Sequence, residues 1–405
     1  GSAGTTPVIS IDTLAPIISS VALTSASGSI TSVSDATINN LNATDTLTAT
    51  VTFNDTVTLN TDGGSPTLAL LIGSSTVLAT YLSGSGTTAL VFSTTIASGH
   101  TDSNGVAIAI NALSLNNATL KDANGNNATI TSVAIADNAK YLVDTTAPTV
   151  SISSGVPTLK AGETANITFT FSEDPGSSFA WDGSAGDIVA SGGTLGPISG
   201  TGLTRTAVFT PTVNLSSGSA SITVTANSYQ DAAGNNGSAG LTPSLSLDTL
   251  APVISSLALT SATGAIASAS DATVSNLNAT DTLLATVTFN DVLTVNTLGG
   301  TPSLALIIGT STVQATYVSG SGTNALIFST TVAAGQNDSN GVSLALNALS
   351  LNGATLQDAN GNNATLTSTA VADNSKYLVD TTRPTVAVTS DTATLISAQT
   401  ATITF

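Results

Sequence analysis

The stretch "ANITFTF", residues 165–171, decides the fold class because apolar and polar side chains alternate along it. Alternation with a period of two, in residues such as Ile, Phe and Thr, is typical of a strand with one buried face. The same pattern recurs in "LTATVTF" at 47–53, "TLALLIG" at 67–73 and "ASITVTA" at 220–226. Since no segment has convincing helical periodicity, the sequence predicts an all-β protein.

Two further patterns divide the chain into units. The sequence repeats after 236 residues, so that Asp12 corresponds to Asp248 and Asp144 to Asp380. Each of these aspartates begins an Asp-Thr-x-x-Pro segment between two apolar runs, as in "YLVDTTAPTV" at 141–150. A period this long predicts whole domains inside each repeat rather than the short units of a solenoid.

Cuts after the four linker aspartates, Asp12, Asp144, Asp248 and Asp380, predict the domains. They are the last strand of a preceding domain at 1–12, a long domain at 13–144, a short domain at 145–248, a copy of the long domain at 249–380, and the first strands of a truncated short domain at 381–405. We therefore expect the chain to be a segment of a longer protein. Roughly seven short strands per unit of this size predict two-sheet antiparallel β-sandwiches, with a proline at the edge strand that opens each unit.

Composition restricts the function classes. The chain has 24 acidic and 6 basic residues, a net charge of −18, so binding to nucleic acid is not expected. It has one His and no Cys, which leaves neither a thiolate site nor a disulfide framework. No stretch reaches the roughly 20 consecutive apolar residues of a membrane helix, so we expect no membrane insertion. Cations are the natural partners of such a chain.

The units resemble a known group of proteins. The long units, with "DSNGVAIAINALSLN", "DANGNNAT" and "DNAKYLVDTTAP", resemble bacterial immunoglobulin-like repeats of giant secreted RTX and biofilm-type surface adhesins. The short unit, with "ANITFTFSEDPG" and "YQDAAGNN", resembles a second class of bacterial Ig-like domain. This resemblance implies tandem immunoglobulin-like β-sandwiches in an extended extracellular array on the bacterial cell surface, with calcium at the domain junctions.

The residues themselves also point to calcium. In an Ig-type sandwich the entering chain lies near the loop between the second and third strands and the loop before the last strand. Carboxylates that meet there without a basic partner repel one another, and calcium prefers carboxylate and amide oxygens. For the short domain the expected ligands are Asp144, Glu173, Asp174, Asp231 and Asn235. For the long domains they are Asp12, Asn54, Asp55, Asp122, Asn124 and Asn126, with the copies Asp248, Asn290, Asp291, Asp358, Asn360 and Asn362.

A second group of ligands is expected at the opposite end of each long domain. Asp102 and Asn104 in "TDSNG", with the copies Asp338 and Asn340, should face the next linker aspartate, which is Asp144 or Asp380. The competing interpretation is ordinary turn chemistry, because Asp and Asn side chains bond their own backbone in turns. His100 is expected to be an exposed loop residue rather than a catalytic one. Trp181 could be a core residue or a sugar-stacking surface residue.

The sequence gives no nucleophile with a neighbouring base, so we expect no enzyme. The function expected first is a structural and adhesive repeat array, a spacer or filament rigidified by calcium. The alternatives are a ligand- or glycan-binding adhesin module, or a self-assembling sheath of the S-layer type. The expected partners are neighbouring Ig-like domains of the same longer chain, with lateral or head-to-tail association of other copies as a further option.

Overall fold

The computed structural model describes residues 11–32, 34–268 and 270–405, and within them every regular element is a β-strand. Residues 1–10, which carry most of the strand predicted at 1–12, lie outside the described residues. The predicted all-β class is confirmed. We call residues 13–144 and 249–380 the long repeats, and residues 145–248 the short repeat.

The first long repeat forms two sheets. Its strands are β1 (Ile18–Ser27), β2 (Ile30–Thr31), β3 (Asn39–Leu41), β4 (Thr46–Asn60), β5 (Thr67–Ile72), β6 (Ser75–Ser83), β7 (Thr87–Thr95), β8 (Thr101–Asp102), β9 (Ala107–Ser114), β10 (Thr119–Lys121) and β11 (Tyr141–Asp144). The larger sheet has the order β1-β4-β7-β6-β5-β9, with β10 paired to β4, and the smaller has the order β2-β3-β11-β8. β1, which follows Pro16, lies at the edge of the larger sheet as expected.

This repeat has more strands than the roughly seven expected. The additional ones, β2, β3, β8 and β10, are only two or three residues long. Such strands are too short to show an alternation in the sequence, so only tertiary pairing reveals them. β4 is longer than expected because its register shifts between Thr52 and Val57, after which it pairs with β10. Asn54 and Asp55 lie within this irregularity.

The second long repeat has the same fold. Its strands are β21 (Ile254–Thr263), β22 (Ile266–Ala267), β23 (Ser275–Leu277), β24 (Thr282–Asn296), β25 (Ser303–Ile308), β26 (Ser311–Ser319), β27 (Thr323–Thr331), β28 (Asn337–Asp338), β29 (Ser343–Ser350), β30 (Thr355–Gln357) and β31 (Tyr377–Asp380). Both sheets keep the order of the first copy. In β4 and β24 every second residue, from Leu47 to Phe53 and from Leu283 to Phe289, is buried. The residues between them, all Thr apart from Leu284, are half-buried.

The short repeat is a smaller pair of sheets. Its strands are β12 (Val150–Ser154), β13 (Thr158–Leu159), β14 (Ala165–Phe171), β15 (Ile188–Ser191), β16 (Gly193–Leu195), β17 (Thr204–Pro211), β18 (Gly218–Val224), β19 (Gly240–Leu241) and β20 (Leu245–Leu247). The sheet orders are β12-β14-β17-β16 and β13-β20-β18-β15, with β19 paired to β18. β14 has the bounds expected from "ANITFTF". Phe171, Phe179 and Tyr229 pack edge to face in the core, with ring centroids 4.8 to 5.8 Å apart.

After the second long repeat, β32 (Thr389–Ser390) and β33 (Ile403–Thr404) form a two-stranded sheet. The chain divides into two compact units. One contains the residues up to Pro157 together with Thr164–Pro211 and Ser219–Leu245, and the other contains Thr158–Glu163, Thr212–Gly218 and Ser246–Phe405. The described residues contain no helix with the length and apolar character needed to cross a membrane.

Candidate metal centre

Three loops with the sequence Asp-Ala-x-Gly-Asn-Asn have the same internal structure. We call them the junction loops: Asp122–Asn127, Asp231–Asn236 and Asp358–Asn363. In each, Oδ1 of the first aspartate accepts hydrogen bonds from the backbone N–H groups of the third and fifth residues, at 2.8 to 2.9 Å. These bonds close a tight turn and fix the direction of the carboxylate.

The fifth residue of each junction loop binds the linker aspartate that precedes its repeat. The amide of Asn126 donates to the Asp12 carbonyl at 3.2 Å, that of Asn235 to the Asp144 carbonyl at 2.9 Å, and that of Asn362 to the Asp248 carbonyl at 3.2 Å. The same amides also donate to Oδ2 of the first loop aspartate, at 2.8 to 2.9 Å. The structure therefore brings Asp12, Asp144 and Asp248 to the loop before the last strand of the repeat that each one precedes.

Turn chemistry accounts for one oxygen of every linker aspartate. Oδ1 of Asp12, Asp144 and Asp380 accepts a hydrogen bond from the backbone N–H two residues later, at 2.8 to 2.9 Å, and Asp248 does the same at 3.3 Å. For Asp12, Asp144 and Asp248, local turn formation through the side chain and contact with the junction loop through the backbone carbonyl are thus combined in one residue. What distinguishes the repeats is the environment of the second oxygen, Oδ2.

At the short repeat three carboxylates converge. Asp144, Glu173 and Asp231 each offer one oxygen, and these oxygens lie within 4.8 Å of one another. Asp231 is buried and the other two side chains are half-buried. Burial, followed by the charges of Asp144 and Asp231, raises the pKa of Glu173 above its ordinary range. We call this cluster the Asp144 site.

At the long repeats an amide takes the place of the third carboxylate. Asn124 donates its amide N–H to Asp12 Oδ2 at 2.8 Å, and Asn360 donates to Asp248 Oδ2 at 2.5 Å. The hydrogen bond from Asn126 lowers the pKa of Asp122, since it stabilises the charged form. In each long repeat the linker aspartate and the first aspartate of the junction loop are therefore linked through neutral amide donors.

Equivalent hydrogen bonds show which of the other predicted ligands occupy corresponding positions in the three repeats. Asn54 Oδ1 accepts from the Ile17 N–H at 2.8 Å, Asn290 Oδ1 accepts from Val253, and Ser172 Oγ accepts from Thr149 in the same way. Glu173 therefore occupies the position of Asp55 and Asp291. The two aspartates instead bond the N–H of the following residue, at 2.7 Å. The longer glutamate reaches the linker aspartate.

Asp174, a predicted ligand, lies in a different environment. Its Oδ1 accepts from the Gly176 N–H at 2.9 Å and lies 3.3 Å from the guanidinium of Arg205. Arg205 is only 5% exposed and also donates to the Gly202 and Gly176 carbonyls. The expectation that all the short-repeat carboxylates lack a basic partner is therefore wrong for Asp174, because β17 carries an inward-facing arginine in an otherwise alternating strand.

The second predicted group also has internal partners. Asp102 is buried and accepts from the Gly73 and Gly105 N–H groups at 2.7 and 2.9 Å, and Asp338 repeats this arrangement with Gly309 and Gly341. The amides of Asn104 and Asn340 bond the carboxylates of Asp137 and Asp373. Asp102 and Asp144 line one cavity of about 420 Å³ with Asn40, Ala232 and Ala233.

The structure also shows the environments of His100 and Trp181, for which the sequence offered competing interpretations. His100 is half-buried rather than exposed, and its carbonyl accepts from Thr145 Oγ1 at 3.0 Å, which ties its loop to the linker. Trp181 is half-buried and donates its indole N–H to the Leu195 carbonyl at 3.2 Å, which favours its interpretation as a core residue.

Sequence reasoning missed three features around the Asp144 site. These are the pairing of Arg205 with Asp174, the loss of the amide donor at Ala233, and the amide of Asn42, which donates to the Ala233 carbonyl at 2.9 Å. A signal for the second was present, because the junction loops read "DANGNN" in the long repeats and "DAAGNN" in the short one. The first and third depend on contacts between residues far apart in the chain.

One family model and a number of solved structures match the chain or parts of it. No curated protein sequence matches the chain. Among solved structures, the I9–I11 tandem of titin is similar over 76% of this chain and 89% of that one, at 12% identity and a TM-score of 0.24. A putative membrane anchored protein from Corynebacterium diphtheriae is similar over 85% of this chain and 90% of that one, at 11% identity and a TM-score of 0.21. Residues 144–248, from one linker aspartate to the next, match the family model described as bacterial Ig-like domain.

Proposed function

We propose that the chain is a structural and adhesive segment of an extracellular bacterial surface protein, in which tandem Ig-like sandwiches act as a spacer and calcium fixes the junction at Asp144. The convergence of Asp144, Glu173 and Asp231 is the observation that carries this proposal. The match of the short repeat to the bacterial Ig-like domain model supports the bacterial origin of this segment. A giant adhesin of the RTX or biofilm type is the larger protein that we propose for it.

The geometry of the Asp144 site suits calcium. Ca–O distances of 2.3 to 2.6 Å mean that two oxygens on one ion lie at most about 5 Å apart. The three carboxylate oxygens, all within 4.8 Å of one another, meet this condition. Calcium also accepts six to eight oxygen ligands in flexible arrangements, so carbonyls and water can complete the shell. Zinc would prefer thiolate or imidazole ligands, and the chain has no Cys and one His.

An ion at this position would act on a joint between repeats. Asp144 is the last residue of β11 in the long repeat, whereas Glu173 follows β14 and Asp231 lies in the junction loop of the short repeat. The long repeat also contacts this loop directly, through Asn42 and, at 3.4 Å, through the Asn40 amide and the Ala232 carbonyl. Calcium would add bonds between the linker and the short repeat, and thereby limit rotation at the joint.

The proposal is tested with the full chain in calcium and in chelator. We expect isothermal titration to detect binding to the wild type, calcium to raise the melting temperature, and small-angle scattering to give a larger maximum dimension with calcium. Asp144→Asn should abolish these effects while keeping the turn, because an Asn oxygen can still accept from Thr146. Asp12→Asn is the matched control at a linker aspartate with an amide partner, and should leave calcium binding unchanged.

Unchanged melting temperature and dimensions of the wild type in calcium and chelator would eliminate the calcium-stiffened spacer. Loss of binding in Asp12→Asn but not in Asp144→Asn would place the ion at a different junction and contradict the assignment to the Asp144 site.

A further inference from the structure

The three junction loops of this chain form an internal comparison. All three hold the linker aspartate carbonyl through the Asn at their fifth position. They differ in how the linker Oδ2 is satisfied: an amide N–H reaches it in both long repeats, while in the short repeat the donor is replaced by Ala233 and a third carboxylate arrives from Glu173. The loss of a donor and the gain of an acceptor occur together.

We propose that the side-chain amides of Asn124 and Asn360 take the place of a divalent cation, so that the junctions opened by Asp12 and Asp248 close without an ion. This inference rests on the function proposed for the Asp144 site and deepens it. The sequence predicts calcium at every domain junction, whereas this proposal assigns calcium to the junction at Asp144 and none to the junctions at Asp12 and Asp248.

Charge and hydrogen bonding favour this division. In the long repeats the neutral amide donates directly to one carboxylate oxygen of the linker, at 2.8 Å for Asn124. An amide cannot bridge as many oxygens as calcium. Among the described residues, however, the one group of three converging carboxylates is Asp144, Glu173 and Asp231, whereas Asp55 and Asp291 each accept the N–H of the residue that follows. The long repeats therefore have a neutral donor on the linker Oδ2 and repulsion between two carboxylates rather than three, which weakens the need for a cation.

The loop beside Asp248 lies near Lys160, whose ammonium is 3.8 Å from the Glu163 carboxylate. A side chain built on Gly361 would meet the Lys160 ammonium at 3.4 Å, and Lys160, Asp248 and Asn360 line one cavity of about 330 Å³. The Asn362 side-chain oxygen accepts from the Ala161 N–H at 2.8 Å. This amide therefore has hydrogen-bond partners on both its oxygen and its nitrogen.

Replacing the amide by its carboxylate isostere should create the missing site. Asn124→Asp places a carboxylate about where the amide nitrogen contacts Asp12 Oδ2, and so gives this loop three acidic side chains as in the short repeat. We expect the variant to melt at a lower temperature than the wild type in chelator, to recover in calcium, and to bind one more calcium ion per chain in isothermal titration. Asn360→Asp should behave in the same way.

Asn124→Ala separates this effect from simple loss of the hydrogen bond. It should lower stability equally in calcium and in chelator and leave the number of bound ions unchanged. A wild type that binds one ion at each of the three junctions would overturn the inference, as would Asn124→Asp with unchanged stoichiometry. If instead the wild type binds no calcium and Asn124→Asp binds one ion, the function proposed for Asp144 fails while the role of the amide stands.

Discussion

Glu173→Gln should stabilise the calcium-free protein at neutral pH, although it removes a native side-chain charge. The substitution keeps the shape and most of the packing of the side chain while removing one of the three mutually repelling carboxylates of the Asp144 site. It also removes a ligand, so the calcium-dependent gain in stability should shrink at the same time. The variant should therefore be more stable than the wild type in chelator, and it should gain less stability than the wild type when calcium is added.

The expected size follows from the separation of the charges. Two unit charges 4.8 Å apart repel by about 3 kcal/mol at an effective dielectric constant of 20 and by about 1 kcal/mol in bulk water. Glu173 takes part in two such pairs, but it is only half-buried, and solvent and salt screen both. We therefore expect Glu173→Gln to raise the free energy of unfolding in chelator by about 1–3 kcal/mol.

Tryptophan fluorescence is the appropriate assay, because Trp181 is the one tryptophan of the chain and lies in the short repeat. Urea unfolding followed at this residue reports the domain that contains Glu173 and Asp231, while the long repeats contribute only tyrosine. The experiment compares wild type and variant in chelator and in calcium at neutral pH.

The pH dependence gives an independent check. The pKa of Glu173 is raised in the folded state, so the folded chain binds this proton more tightly than the unfolded chain does. The stability of the calcium-free wild type should therefore be greatest below the ordinary pKa of 4.5 as far as this group is concerned, and should fall as the pH rises through the raised value. The variant should lack this decline. A variant that is less stable than the wild type in chelator at neutral pH, with the same pH profile, would refute the repulsion argument.

Two further predictions concern hydrogen bonds around the same site. Asn235→Ala removes the hydrogen bonds to the Asp144 carbonyl and to the Asp231 carboxylate. It should lower the free energy of unfolding by about 2–4 kcal/mol, measured by fluorescence-monitored urea titration. An effect below experimental error would show that water replaces this amide without cost. Arg205→Met keeps the apolar stem but leaves Asp174 and the Gly202 carbonyl without their guanidinium donor. We expect the free energy of unfolding to fall by about 1–3 kcal/mol in the same assay. An unchanged unfolding midpoint would contradict a structural role for the buried arginine.

The structure also explains why the site could be anticipated only in part. The Asp-Thr-x-x-Pro segments and the Asp-Ala-x-Gly-Asn-Asn loops are local patterns, and general knowledge of sandwich topology is enough to bring them together. Which oxygen faces which neighbour is not local. Asp102 is also an aspartate that lines a cavity with Asp144, yet its two carboxylate oxygens accept the Gly73 and Gly105 N–H groups and it does not join the three converging carboxylates. Asp174, next to Glu173 in the chain, turns to Arg205 instead.

The sequence by itself determined the strand pattern, the repeat and the positions of the linker aspartates, because alternation, internal identity and turn residues are properties of neighbouring or aligned residues. Only the tertiary structure decided the partners of each carboxylate. A glutamate one methylene longer than the aligned aspartates reaches Asp144, and an amide two residues along the junction loop either reaches Asp12 or is absent as Ala233. These outcomes depend on distances of a few ångströms between segments separated by tens of residues, which strand pairing and packing set.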